Sequence, residues 1–151
     1  MSVSDFSNRL KELMLSEKVS KRALSNQTGI QRKSITNWLN AKFYPRYDAL
    51  IKLADYFYVS TDYIIGKSDD ASKIMDCVKN SPVSVPFRFA GLLNNYLVKE
   101  KLSKYMLAKK INVGQSTLNR WFNGKSMPET AVLMRIADLM SESVDYLLGR
   151  E

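Results

Sequence analysis

The chain has 151 residues, of which 45% are hydrophobic and 25% are charged, so it can bury a core in one ordinary domain or two very small ones. Its 23 Lys and Arg outnumber 15 Asp and Glu, and the net charge of +8 indicates either a polyanionic partner or a charge that serves solubility. The absence of His and the single Cys exclude an imidazole base, an intramolecular disulfide and a multi-thiolate metal site.

Further absences narrow the class of protein. No glycine-rich phosphate loop and no nucleophile–base pair is found, so we expect neither an enzyme nor a cofactor. No apolar run approaches the roughly 20 residues that cross a bilayer, and the N-terminus lacks a signal-peptide pattern. We therefore expect a cytoplasmic protein without a membrane partner, and we interpret Cys77 as a small hydrophobic residue on a helix face.

Residues 1–68 are predicted to form a first domain of five short helices. The first helix follows Ser4 or Asp5 as its N-cap and carries its apolar residues on one face. The second begins at Ser20 and is broken at Gly29. The third covers residues 31–39, and the last two follow Pro45 and end at Gly66.

Residues 69–86 are predicted to link this domain to the rest of the chain. Ile74 and Val78 lie one turn apart and indicate a short helix over residues 70–79. The prolines that follow predict an extended segment over residues 81–86. The linker has a net charge of −1, whereas the segments before and after it have +5 and +4.

Residues 87–151 repeat the first domain. Residues 5–67 align with residues 88–150 at a constant offset of 83 without a gap, and 18 of the 63 columns are identical. A Trp, a Pro and a closing Gly stay in register, which indicates a duplication. We call the two halves copy one and copy two. Copy two is predicted to have helices over residues 87–99, 104–110, 114–122, 130–139 and 144–148.

The boundary between the second and third helices is the sharpest local signal. Gly29 lies where the chain must reverse direction, which commonly requires a left-handed backbone. Copy two has Asn112 there, and Asn is the residue other than Gly that best tolerates this conformation. No segment alternates with the period of a strand, so the fold class is all-α, with a helix-turn-helix in each copy.

This pattern resembles the Cro/repressor-type (XRE-like) helix-turn-helix family over about 125 residues. The resemblance implies two tandem five-helix lambda-repressor-like DNA-binding domains, each with a recognition helix in the major groove of double-stranded DNA. In each copy it is carried by a Ser-Lys start of the second helix, the turn, a Trp in the third helix and an Asn-x-Lys-x-x-Pro loop. The matching residues are Ser20, Lys21, Leu24, Gly29, Trp38, Asn40, Lys42 and Pro45, and Ser103, Lys104, Leu107, Ala108, Trp121, Asn123, Lys125 and Pro128.

The resemblance also implies the contact residues. Those implied to read bases are Gln31, Arg32, Lys33, Thr36 and Asn37 in copy one, and Gly114, Gln115, Ser116, Asn119 and Arg120 in copy two. Those implied to contact phosphates are Lys21, Arg22, Asn40 and Lys42, and Lys104, Tyr105, Asn123 and Lys125. For Arg32 and Lys33 the alternative to DNA contact is a solvated helix charge, and DNA contact is favoured because the polar face coincides with the reading face of the family. Trp38 and Trp121 are interpreted as core.

Copy one departs from the family at two positions. It has Ser25 where copy two has the small Ala108 that the family prefers, and Ala41 where copy two has Gly124. Copy two is therefore closer to the family pattern and is expected to be the better DNA reader, although both copies are expected to bind. An aromatic cluster around Phe43 and Tyr44 in copy one suggests a surface between the copies or between two chains.

The expected function is that of a transcription regulator, a repressor, that binds an operator with two unlike half-sites. A linker of about twenty residues extends to roughly 60 Å, enough for both copies to bind one duplex. The sequence leaves open a homodimer. The alternative is a protein-binding adaptor or inhibitor on the same scaffold, in which one or both copies do not read DNA.

Overall fold

The chain divides into two compact units at residue 77, in agreement with the duplication. The computed structural model describes residues 2–73 and 84–151, and within these ranges the chain forms helices and no strand. The predicted all-α class and the two helix-turn-helix copies are therefore confirmed. Cys77 lies outside the described residues.

Copy one contains five helices whose ends agree with the predicted ones to within a few residues. They are α1 (Val3–Ser16), α2 (Lys21–Thr28), α3 (Arg32–Leu39), α4 (Tyr47–Phe57) and α5 (Thr61–Ile64). The predicted first N-cap is wrong. Ser2 caps α1 instead, because its hydroxyl accepts a hydrogen bond from the Asp5 amide while the Asp5 carboxylate accepts one from the Ser2 amide.

Copy two repeats this order with α6 (Val85–Glu100), α7 (Lys104–Ile111), α8 (Gln115–Phe122), α9 (Thr130–Met140) and α10 (Val144–Leu147). The predicted extended segment is wrong at Val85 and Pro86, which lie in the first turn of α6. Ser84 caps this helix, and a proline fits the first turn because the amides there have no helical partner.

The first residues of the predicted linker lie against copy one. Residues 70–73 are not helical, contrary to the predicted helix, whose remainder falls outside the described residues. The Lys73 ammonium donates to the Phe57 carbonyl at 3.0 Å and contacts the Glu17 carboxylate at 3.2 Å. Arg9 of α1 donates to the Ser68 carbonyl at 3.1 Å and reaches Asp69 at 3.4 Å. The chain therefore remains bound to copy one as far as Lys73.

Each core is organised around a contact between the first and third helices. In copy one, the Phe6 ring meets the Trp38 indole edge-on, with centroids 6.3 Å apart, and Phe89 meets Trp121 at the same distance in copy two. Both Trp side chains are 3% exposed. Aromatic pairs of this geometry add about 0.5–1.5 kcal/mol beyond their burial. The interpretation of both Trp residues as core is confirmed.

The turn between α2 and α3 has the predicted left-handed backbone in both copies, with φ of +76° at Gly29 and +57° at Asn112. The two turns are closed by different bonds. In copy two, the Val113 amide donates to the Ala108 carbonyl at 3.0 Å. In copy one, the Ser25 hydroxyl donates to the Ile30 carbonyl at 2.5 Å. The departure at Ser25 therefore supplies a bond that closes the turn of copy one.

We predict that Gly29→Ala lowers the free energy of unfolding of copy one by roughly 1–2 kcal/mol, because a side chain in a left-handed conformation is strained. A Cβ at this position meets no atom within 4 Å, so the cost comes from the backbone alone. Gly29→Asn is the matched control and should cost less, as Asn112 adopts this conformation in copy two. Chemical denaturation followed by circular dichroism measures both, and equal midpoints for the two variants would contradict the prediction.

Candidate nucleic-acid interface

The third helix of each copy has one buried face and one face in solvent. In α3, Ile35 and Trp38 are 0% and 3% exposed, and in α8 the equivalent Leu118 and Trp121 have the same values. The opposite face of both helices carries polar side chains. The buried pair fixes the rotation of each helix about its axis, so the polar side chains of the opposite face are turned toward solvent together.

The predicted base-reading residues lie on this outer face or at its start. In copy one, Gln31, Arg32 and Lys33 are exposed, whereas Thr36 and Asn37 are half-buried. In copy two, all five predicted residues are exposed: Gly114, Gln115, Ser116, Asn119 and Arg120. Gln31 and Gly114 are the N-cap residues of α3 and α8 rather than members of the helices.

The described part of the chain does not neutralise the cations on these helices. Within residues 2–73 and 84–151, the guanidinium and ammonium groups of Arg32, Lys33 and Arg120 form no ion pair. An exposed positive charge without an acidic neighbour attracts phosphate over about 10 Å at moderate salt. The outer faces are therefore suited to a polyanion.

The predicted phosphate-contact residues flank the same helices and are all exposed: Lys21, Arg22, Asn40 and Lys42, and Lys104, Tyr105, Asn123 and Lys125. Two of them contact other side chains of copy two. The Lys104 ammonium lies 4.8 Å from the centre of the Phe122 ring, and the Lys109 ammonium lies 4.7 Å from that of Tyr105. Exposed cation–π contacts of this kind contribute about 0.5–1 kcal/mol each.

A rigid turn places Lys42 and Lys125 after their helices. The Lys42 amide donates to the Asn37 carbonyl and the Lys125 amide to the Arg120 carbonyl, both at 3.0 Å. The residue just before each Lys has a left-handed backbone, with φ of +57° at Ala41 and +68° at Gly124. The departure from glycine at Ala41 has therefore not changed the path of this turn.

The same loop contains a cation that the sequence reasoning missed. Arg46 is the N-cap residue of α4, and its side chain is 82% exposed. Its nearest acidic partner is Asp48, at 4.0 Å, which is itself more than half exposed. Copy two has Glu129 at the equivalent position, also exposed. The signal in the sequence was a reversal of charge next to the matched Pro45 and Pro128.

Part of the aromatic cluster of copy one belongs to its own core. The Tyr44 ring packs on Phe6 with centroids 6.0 Å apart, and burial together with the nearby Asp5 carboxylate raises the pKa of its phenol. Tyr56 packs edge-on against the buried Phe57. Phe43 and Tyr58 keep about half of their surface exposed. The cluster is thus explained largely by packing within copy one.

The described residues form neither a metal site nor a membrane span. Among the residues that the structure describes, no group of three or more Cys, Asp or Glu side chains is arranged to hold a metal ion. In the same part of the chain, no helix combines the length and apolarity needed to span a membrane.

The left-handed turn, the buried inner face and the polar outer face define a helix-turn-helix protein. Residues 7–69 match a family described as Helix-turn-helix domain, and residues 93–147 match one described as Helix-turn-helix. Both families are XRE-type. No curated protein and no solved structure matched the chain. The chain therefore belongs to the XRE-like helix-turn-helix family, in two tandem copies, and to the class of DNA-binding regulators.

Proposed function

We propose that this protein is a sequence-specific repressor that reads double-stranded DNA with α3 and α8, one recognition helix in each copy. The observation that carries the proposal is the outer face of these helices, which is polar, exposed and fixed in rotation by Ile35 and Trp38 or by Leu118 and Trp121. A helix in the major groove needs such a face. Repression requires no further chemistry, because a bound protein blocks access to the duplex.

The proposed base contacts follow from side-chain chemistry. Arg32 and Arg120 can each donate two hydrogen bonds to O6 and N7 of guanine. Gln31 and Gln115 suit adenine, which offers one donor and one acceptor in the major groove, and Ser116 suits either purine. Gly114 has no side chain and allows the backbone to approach closely. The other proposed readers are Lys33, Thr36, Asn37 and Asn119.

The proposed phosphate contacts determine where each helix lies along the groove. Lys21 and Arg22 begin α2, and Lys42 follows the rigid turn after α3. Their counterparts in copy two are Lys104, Tyr105 and Lys125, and an Asn at position 40 or 123 precedes each loop. Such contacts set register and orientation but carry no sequence information.

The two recognition helices differ at every proposed reading position, so we propose an operator of two unlike half-sites. A single chain then binds both half-sites without forming a homodimer. Tethering raises the effective concentration of the second copy to about the millimolar range and strengthens binding without new contacts. The alternative, an adaptor that binds protein through one copy, lacks a specific observation in its favour.

We expect the protein to bind a random-sequence duplex with an affinity that falls steeply as salt rises. Each phosphate neutralised releases counterions and contributes about 0.9 to the log–log slope. Fluorescence anisotropy between 50 and 200 mM salt measures the slope. Binding that is flat with salt, or no binding to any duplex, would contradict the proposed function, and an adaptor would give that result.

Arg120→Ala should weaken binding to the selected operator by roughly 1–3 kcal/mol and relax the preference at one base position. Lys125→Ala is the control, because a phosphate contact should weaken binding to all sequences about equally. Selection from a random duplex library followed by titration of single-base variants measures both effects. If Arg120→Ala weakens all sequences equally, Arg120 contacts only the backbone.

The contacts of Lys73 predict a limit on half-site spacing. Residues 74–83 join Lys73 to Ser84, the cap of α6. The eleven Cα–Cα steps between these two residues span at most about 40 Å, which is less than the roughly 60 Å of the whole linker. Half-sites one helical turn apart should be bound together, whereas half-sites three turns apart, about 100 Å, should bind as if untethered. A twenty-residue Gly/Ser insertion after Asn80 should restore joint binding at three turns. Joint binding by the wild type at that spacing would contradict this limit on reach.

A further inference from the structure

The two copies carry very different charge at the positions that face DNA in the proposed function. Ten positions can be matched at the offset of 83: the five proposed readers, the four proposed phosphate contacts and the loop position of Arg46. Copy one has six cations at these positions and no acid: Lys21, Arg22, Arg32, Lys33, Lys42 and Arg46. Copy two has three cations, Lys104, Arg120 and Lys125, and the acidic Glu129.

The difference does not reflect total charge, because copy one has +5 and copy two +4. The remaining cations of copy two lie elsewhere. Arg88 donates to the Tyr146 carbonyl at 3.1 Å and stacks on its ring, and Arg150 is buried against Asp145. The other five are exposed and lie outside the ten matched positions: Lys99, Lys101, Lys109, Lys110 and Arg135. Copy one concentrates its charge at the proposed interface, whereas copy two disperses it.

The difference in charge between the copies is greatest in the loop before the fourth helix of each copy. Arg46 and Glu129 have the same backbone position, each being the N-cap of an eleven-residue helix that follows a buried Pro. Arg46 projects into solvent in the loop that carries Lys42. Glu129 occupies the same place in the loop that carries Lys125. This loop therefore presents two cations to a phosphate in copy one, whereas in copy two Glu129 offsets the attraction of Lys125.

We propose that copy one supplies most of the affinity for the phosphodiester backbone of double-stranded DNA, with Arg46 as a further phosphate ligand. Copy two contributes mainly discrimination between bases, through the neutral side chains Gln115, Ser116 and Asn119 and the single cation Arg120. Neutral hydrogen-bonding groups act only at contact, whereas cations act at a distance and release counterions. This division of labour rests on the proposed function, and it assigns the greater affinity to copy one, although the sequence predicts copy two to be the better DNA reader.

The first experiment compares one residue type at one position in both copies. Lys42→Gln and Lys125→Gln, each in the full chain, remove an exposed Lys that forms no ion pair within the described residues. On a random-sequence duplex, Lys42→Gln should lower the log–log salt slope by about 0.9, which cuts the gain in affinity between 200 and 50 mM salt by roughly threefold. Lys125→Gln should lower the slope by less, because Glu129 in the same loop already offsets part of the attraction for phosphate. Equal losses would overturn the proposed division.

The second experiment exchanges the loop charge between the copies. Arg46→Glu should weaken binding to the same duplex and lower its salt slope by about one, and Glu129→Arg should strengthen binding and raise the slope by about one. Each variant carries the residue that the other copy has at that position, so the backbone tolerates both. The matched control for Arg46→Glu is Lys52→Glu, which makes the same change of charge at an exposed position further along α4.

The outcomes separate this inference from the proposed function. If Arg46→Glu weakens binding no more than Lys52→Glu does, Arg46 is not a phosphate ligand and the inference fails. If Glu129→Arg leaves affinity and slope unchanged, the charge of this loop does not matter and the inference also fails. In both cases the wild type still binds duplex DNA, so the proposed function stands. A wild type that binds no duplex at any salt would overturn both.

Discussion

In each copy, the indole of the third helix packs edge-on against a phenylalanine of the first, and this contact determines which side of the recognition helix faces solvent. Phe6 and Trp38, like Phe89 and Trp121, are almost wholly buried at the same separation. A helix has little freedom to rotate when a side chain of that size is enclosed, because the core is close-packed. The polar residues on the other side of α3 and α8 are exposed as a consequence of this burial.

The duplication has preserved the backbone more strictly than the side chains. The left-handed residues occur at equivalent positions in both copies, even where Gly29 is replaced by Asn112 and Gly124 by Ala41. The last helix is held to the first by an arginine in both copies, but from different places. In copy one, the guanidinium of Arg9 lies 4.0 Å from the centre of the Tyr63 ring. In copy two, the equivalent Tyr146 is contacted by Arg88, which aligns with Asp5 and so lies one helical turn before the position of Arg9.

Exposed side chains can change without disturbing the core, and this allows two copies of one fold to differ in function. Exchanging Arg46 for Glu129 changes no buried contact, so it costs little stability, yet it reverses the charge next to a proposed phosphate site. The residue differences between the polar faces of α3 and α8 likewise cost little stability. Sequence preference and affinity can therefore diverge between the copies while the cores that position both helices remain alike.

Much of this protein follows from the sequence alone, because the relevant signals are local or repeated. Apolar spacing, the Ser20 cap and the Gly29 and Asn112 turn predicted the helices, and the offset of 83 predicted two domains. The exposed third-helix residues were likewise predictable, since burial of Trp38 leaves only the opposite face for them.

Other features were decided only by the tertiary structure, because they join residues far apart in the chain. The bonds from Arg9 to Tyr63 and Ser68, and from Lys73 to Phe57, follow no local pattern. Nor does the packing of Tyr44 on Phe6. The sequence by itself determined the helices, their repetition and the composition of the proposed reading faces. Which charges remain in solvent, and where copy one ends, depended on which partners the folded chain brings within reach.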